Sequence, residues 1–377
     1  MKTSFFILSD VFIYYLLFAT FREKSNTTKW LVNKRKFIVA SLFIICLFPF
    51  FSGDYFHYEQ IYNNLLKGDS SGMEDVYLIL AKITYNYFIF RLVVWGGALS
   101  LFFYSVKLSK LPFEYVSLFF VALYLLLFSY ARVSLSMAMM FLGLTMISYN
   151  AMVSFKAILS RFFYIIIGLT LIAVSYYFHK SSVFGIACIC VSLITYKMTK
   201  FRMLIMILAI PVIVQLIQYL IVDLLNADAF DNESLINVRA AQKYISDEGG
   251  SKSFNLGVGI QNLLVRTSFY LIAYIYIKAL WENTYRLFPK PIKIISTTAF
   301  LCVVGASIFA FNLGYNTWTL YYRFLNYAMI PSTFFLVYCL IHNVYPKIVK
   351  MTLTIGWIAS FYTLFYSLYC AHVGEIG

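Results

Sequence analysis

At 377 residues, 62% of them hydrophobic and only 12% charged, the chain holds about half the charged side chains of a soluble domain and could not cover a water-soluble globule of its size. Its formal charge of +14 is split among short basic clusters between apolar blocks, which excludes a nucleic-acid partner. The apolar residues recur in blocks of roughly 16 to 22, the length a helix needs to cross a bilayer, whereas the strands of a membrane barrel would alternate over short segments. The chain reads as one all-α polytopic membrane domain over 1–377, with about twelve transmembrane helices in a range of ten to thirteen.

The first apolar block, Phe5 to Ala19, follows Lys2 and precedes a basic stretch. No small-residue cleavage site follows it, so it reads as the first span rather than a removed signal. Asp10 within it is costly in lipid and is expected to face the bundle. The spans are expected at 4–20, 37–51, 91–106, 115–130, 133–150, 162–178, 181–196, 203–222, 259–280, 294–313, 323–341 and 352–370. Between the second and third lies an outer loop, 52–90. Its second part, 75–90, is apolar but carries Lys82 and several Tyr and Phe, which fits an amphipathic or re-entrant helix at the outer face. A larger outer loop covers 223–258. There Leu235, Val238, Ala241 and Ile245 have helical spacing, and Gly249-Gly250 supplies a turn. Cys46, Cys188, Cys190, Cys302, Cys339 and Cys370 lie in or beside apolar blocks without metal-type spacing and read as small core residues. No metal or cofactor is expected.

Charge sets the expected orientation. The clusters Arg22–Lys36, Lys107–Lys110, Lys156–Arg161, Lys197–Arg202, Lys278–Lys293 and Lys347–Lys350 hold most of the basic residues. In a twelve-span topology they share one side, which the positive-inside rule assigns to the cytoplasm. Both termini are then expected on the non-cytoplasmic side.

The same topology gathers polar residues scattered along the sequence onto the outer face. Asp54, Tyr55 and His57 follow the second span, and Arg132 lies between the fourth and fifth. His179 and Lys180 join the sixth and seventh. Arg239 and Lys243 lie on the large loop, Arg266 sits one or two turns inside the ninth span, and Arg323 opens the eleventh. Lys180 and Lys243 read as solvated charges. Clustered guanidiniums at a lipid–water boundary suit a phosphate or pyrophosphate on a lipid carrier, because their fork matches phosphate oxygens and stays charged. Neighbouring aromatic faces suit sugar rings.

Four short elements carry a resemblance. Ser52-Gly53-Asp54-Tyr55-Phe56-His57-Tyr58 resembles the G-x-D-Y-x-x-Y element of the EpsG family, which groups with the Wzy-type polysaccharide polymerases. Arg132-Val133-Ser134-Leu135-Ser136-Met137-Ala138 resembles its R-x-x-L-A helix start. Phe178-His179-Lys180-Ser181-Ser182 resembles its F-H-x-S element, and Arg323-Phe324-Leu325-Asn326-Tyr327 its late R-x-x-x-Y element. Order and rough spacing agree over nearly the whole chain.

The resemblance implies a glycosyltransferase of the bacterial cytoplasmic (inner) membrane. It would polymerise undecaprenyl-pyrophosphate-linked oligosaccharide repeat units into a surface polysaccharide such as O-antigen, capsule or exopolysaccharide, alongside a chain-length regulator protein. Arg132 and Arg323 would hold the leaving pyrophosphate. Asp54 or His179 would take the acceptor hydroxyl proton. Tyr55, His57, Tyr58, Arg239, Arg266 and Tyr327 would bind substrate. A flippase for the same lipid-linked units, or an acyltransferase of surface sugars using His342, are the alternatives.

Overall fold

The computed structural model describes residues 2–23, 28–51, 54–68, 74–130, 133–149, 158–209, 212, 256–311, 321 and 323–373. Among these residues every regular element is a helix. Six helices are long and apolar enough to cross a membrane: Thr3–Arg22, Tyr87–Ser109, Gly259–Trp281, Lys290–Ile308, Arg323–Ile341 and Pro346–His372. Four shorter apolar helices accompany them, Phe113–Leu123, Val133–Tyr149, Phe162–Phe178 and Ser182–Thr195. The chain has the character of a multi-pass membrane protein.

The 52–90 stretch is divided by local backbone chemistry. It contains a helix at Asp54–Leu66 and a second at Asp75–Thr84. Tyr85 ends the latter in the left-handed region at φ 46°, which stops the helical run. Asn86 then caps the next helix, its side chain accepting from the backbone N–H groups of Phe88 (2.8 Å) and Ile89 (3.3 Å). A membrane-length helix therefore begins at Tyr87, a turn earlier than the expected 91. The expected 115–130 span is also interrupted, as two helices, Phe113–Leu123 and Leu125–Tyr130. The 223–258 loop falls outside the described residues up to 255.

Inside lipid a broken helix leaves carbonyls with no water to bond, so protein groups must satisfy them. At the Tyr124 break, Tyr14 Oη donates to the Val121 carbonyl and Ser360 Oγ donates to the Ala122 carbonyl at 2.8 Å. Tyr14 comes from the first helix and Ser360 from the last, 3.3 Å apart through their hydroxyls. The interruption thus ties both chain ends to the middle of the bundle. Trp357 stacks edge-on against Phe18 and Tyr14, with centroids 5.0 and 5.7 Å apart. Gly356 lets the last helix approach, since a Cβ there would meet Leu123 and stand 2.9 Å from the Ala122 carbonyl oxygen.

Asp10 faces inward as expected and is 1% exposed. Backbone hydrogen bonds from Phe50 and Phe51 reach its carboxyl group. Those residues follow Thr28–Leu47, so this costly acid ties the first helix to the end of the second. Five of the cysteines are buried as expected, and Cys190 is exposed.

The tightest helix crossing joins Val133–Tyr149 to Ile158–Phe178. A Cβ on Gly143 would overlap the Gly168 carbonyl oxygen, and one on Gly168 would stand 2.8 Å from the Gly143 oxygen. Such small-residue contacts let transmembrane backbones touch. Gly143→Ala is expected to cost about 1–3 kcal/mol through overpacking. Gly97→Ala, whose new methyl would sit 3.7 Å from Leu135, is expected to cost less than about 0.5 kcal/mol. Thermal unfolding of the detergent-solubilised protein measures both; equal midpoints for the two variants would refute the close crossing.

Candidate functional site

The polar groups at one end of the bundle fall into two clusters joined by aromatic rings. The first forms where Ile158–Phe178 ends and Ser182–Thr195 begins. In the connection, His179 Nδ1 lies 2.8 Å from Glu74 Oε1, and the Lys180 backbone N–H donates to the same oxygen at 3.4 Å. Both side chains are about nine-tenths buried, at 11% and 10% exposure. With the carboxylate ionised, Nδ1 carries the proton and Nε2 becomes the basic nitrogen. Glu74 stands at the N-cap position of Asp75–Thr84, and its side chain bonds the His179 connection rather than the helix.

The next residue along, Ser181, hydrogen-bonds through Oγ to Tyr327 Oη at 2.9 Å. Phe184 stacks on Phe324 with centroids 4.4 Å apart. These two contacts dock the segment carrying Arg323 against the His179 connection. Gly185 makes room for the Tyr327 ring, since a Cβ there would stand 2.8 Å from it. Two sequence elements almost 150 residues apart, Phe178–Ser182 and Arg323–Tyr327, therefore meet directly.

The second cluster centres on Arg91, which is 1% exposed. Its guanidinium carbon lies 4.5 Å from the centre of the Tyr55 ring, 4.9 Å from Trp95 and 5.5 Å from Tyr87. Nη1 donates to Tyr87 Oη at 3.1 Å and Nη2 to the Cys46 carbonyl at 3.3 Å. The carbonyl is one of those left open at the end of Thr28–Leu47. A π-helical turn, Leu92–Gly96, follows Arg91 immediately; such turns re-aim side chains and recur at functional sites. Trp95 Nε1 in turn donates to the Ser129 carbonyl at 3.2 Å, and its ring meets Tyr58 edge-on at 6.2 Å. Burial raises the Tyr55 phenol above its ordinary value, and the nearby Arg91 charge opposes that rise.

Tyr77 bridges the clusters. Its ring lies 6.2 Å from Phe90, beside Arg91, and 6.3 Å from Phe178, beside His179. Helix Asp75–Thr84 thus spans both centres.

Of the sequence-derived candidates, His179 and Tyr327 come together through Ser181, which follows His179 by two residues and bonds Tyr327, and Tyr55 and Tyr58 come together around Arg91 and Trp95. Arg266 sits over Tyr321, two residues before Arg323, with its guanidinium carbon 4.7 Å from the ring centre. Tyr321 Oη is 3.3 Å from Tyr270 Oη. Asp54 and His57 sit on the helix Asp54–Leu66, with side chains outside the described set. Arg132, Arg239 and Lys243 lie outside the described residues. Glu74, Arg91 and Trp95 were not among the sequence candidates. Arg91 carried a readable signal, an arginine at the edge of an apolar block; Glu74 gained its meaning only from a partner 105 positions away. Among the described residues, no group of three or more metal-ligating side chains forms.

Arg91 makes two directed bonds and three ring contacts at once, which an ammonium cannot reproduce. Arg91→Lys is therefore expected to destabilise the protein nearly as much as Arg91→Met, each by roughly 2 kcal/mol, seen as a lower thermal unfolding midpoint. Full stability in the lysine variant would show that charge alone matters there.

Comparison with protein-family models, with curated proteins and with solved structures found no match to this chain.

Proposed function

We propose that the chain is a polysaccharide polymerase, joining undecaprenyl-pyrophosphate-linked oligosaccharide repeat units on the outer face of the bacterial cytoplasmic membrane. The observation that carries this reading is the docking of the Phe178–Ser182 element on the Arg323–Tyr327 element through Ser181 and Tyr327. It joins the segment that carries the Glu74-bonded imidazole to the segment that carries Arg323, and an imidazole base with a guanidinium suits glycosyl transfer from a pyrophosphate donor. The four-element family resemblance supplies the substrate class.

In this mechanism His179 Nε2 takes the proton from the acceptor hydroxyl, and Glu74 holds the imidazole and stabilises the imidazolium that forms. The hydroxyl oxygen bonds to the anomeric carbon of the donor sugar as the bond from that carbon to the pyrophosphate oxygen breaks. Undecaprenyl pyrophosphate leaves, its developing charge balanced by Arg323 and Arg132. The Glu74 contact favours His179 over Asp54 as the base. The aromatic faces of Tyr55 and Tyr58, set by Arg91 and Trp95, are suited to stacking sugar rings.

The membrane arrangement belongs to the same proposal. Twelve spans with both termini outside put the Glu74–His179 end on the outer face and the basic loops in the cytoplasm. In a background lacking native cysteines, Lys180→Cys is expected to react with a membrane-impermeant maleimide in intact cells, and Lys290→Cys only after permeabilisation. The reverse pattern would invert the topology and remove the outer-face assignment.

Gene deletion followed by complementation tests the activity. Wild type is expected to restore long surface polymer. His179→Ala, Glu74→Gln and Arg323→Ala are each expected to slow polymerisation on the order of 10²-fold or more, leaving single repeat units on the lipid carrier at the outer leaflet. Accumulation of intermediates inside the cell would indicate a flippase instead. Long polymer in the deletion strain would refute the polymerase reading.

A further inference from the structure

The opposite end of the bundle contains a cavity that the proposed reaction does not use. Helix Ser182–Thr195 runs from the His179 connection to this end, about 20 Å at 1.5 Å per residue. There a space of about 280 Å³ opens between the 198–201 segment and the 280–286 turn. Met198 and Tyr285 form part of its lining and are buried, whereas Thr199, Lys200, Asn283 and Arg286 supply its polar atoms. No carboxylate lines it.

The lining is held in place by bonds that do not involve a ligand. Tyr285 Oη donates to the Tyr196 carbonyl at 2.7 Å and lies 2.9 Å from Thr297 Oγ1. Burial pushes this phenol up to about 12, so it faces the cavity as a neutral ring. Lys293 Nζ donates to the Arg286 carbonyl at 2.8 Å and so braces the turn. Lys200 Nζ lies 5.3 Å from the centre of the Trp281 ring. Around the mouth, Phe201, Trp281 and Leu287 are 71%, 65% and 82% exposed. Large exposed apolar side chains beside tryptophan and lysine mark the depth of a lipid headgroup layer.

We infer that this cavity binds the headgroup of an anionic phospholipid, with Lys200 and Arg286 on the phosphate. Thr199 and Asn283 offer hydrogen-bonding groups to the remaining headgroup oxygens. The apolar floor at Met198 and Tyr285 receives the first part of the acyl region. Two cations with no lining acid favour a phosphate of net negative charge over a zwitterionic headgroup. The exposed apolar rim favours a lipid over a free phosphate ion. The inference stands independently of the polymerase reading, because it concerns the other end of the molecule.

Native mass spectrometry of the full-length protein, released from micelles doped with phosphatidylglycerol or phosphatidylcholine, tests it. Wild type is expected to retain phosphatidylglycerol and shed phosphatidylcholine. The double variant Lys200→Ala/Arg286→Ala is expected to weaken phosphatidylglycerol retention about tenfold or more. Lys347→Ala/Lys350→Ala, which removes equal charge elsewhere on the basic side, is expected to leave it unchanged. Lys200→Arg/Arg286→Lys, which keeps the charge and controls for folding, is expected to retain it. Equal loss in the Lys347/Lys350 variant would reduce the effect to general charge and overturn the site. Undiminished retention in Lys200→Ala/Arg286→Ala would overturn it as well. Displacement of the lipid by millimolar inorganic phosphate would make it a free-anion site instead.

Discussion

A backbone group inside lipid has no water to turn to, so one that leaves the helical ladder gains most from a protein partner. That constraint organises the fold. The break at Tyr124 frees carbonyls that Tyr14 and Ser360 satisfy, and those bonds draw the first and last long helices onto the middle of the chain. Asp10 would be prohibitive on a lipid-facing surface. It instead takes backbone hydrogen bonds from Phe50 and Phe51. Arg91 directs its two terminal nitrogens to a carbonyl and a phenol and its plane to three aromatic faces, leaving Nε without a hydrogen-bond partner among the described residues.

These satisfied polar groups also position the candidate site. Glu74 opens the helix Asp75–Thr84 and its side chain contacts His179, which couples that helix to the imidazole. Tyr77 on that helix touches the aromatic surroundings of both Arg91 and His179. A ligand engaging Tyr55 or Tyr58 would therefore press on a framework that includes His179. This arrangement makes the two clusters parts of one end-face rather than separate centres.

The two ends of the bundle differ in character. One gathers a buried His–Glu pair and a caged guanidinium, groups removed from solvent and fixed by directed bonds. The other carries lysines over tyrosine and tryptophan rings around an open cavity. Buried, oriented groups suit chemistry, where geometry must be held before the reaction. Exposed cations beside aromatic side chains suit the charged layer of a lipid leaflet.

Sequence by itself determined the helical class, the membrane character and the inward face of Asp10. Those follow from block length and from the cost of charge in lipid, which are local properties. It also marked His179, Arg323, Tyr327, Tyr55 and Tyr58 through short elements. It did not reveal the start of a long helix at Tyr87, because an apolar stretch conceals a cap at Asn86 and a left-handed Tyr85 until the backbone turns. Nor did it reveal Glu74 or Arg91. Glu74 looks like a solvated loop acid, and Arg91, though a readable arginine at a span edge, gives no sign of its partners, until folding brings His179 to one and Tyr55, Tyr87 and Trp95 around the other. Only the tertiary structure decided those pairings, because their partners come from different helices and hydrogen bonds form between neighbours in space, whatever their distance along the chain.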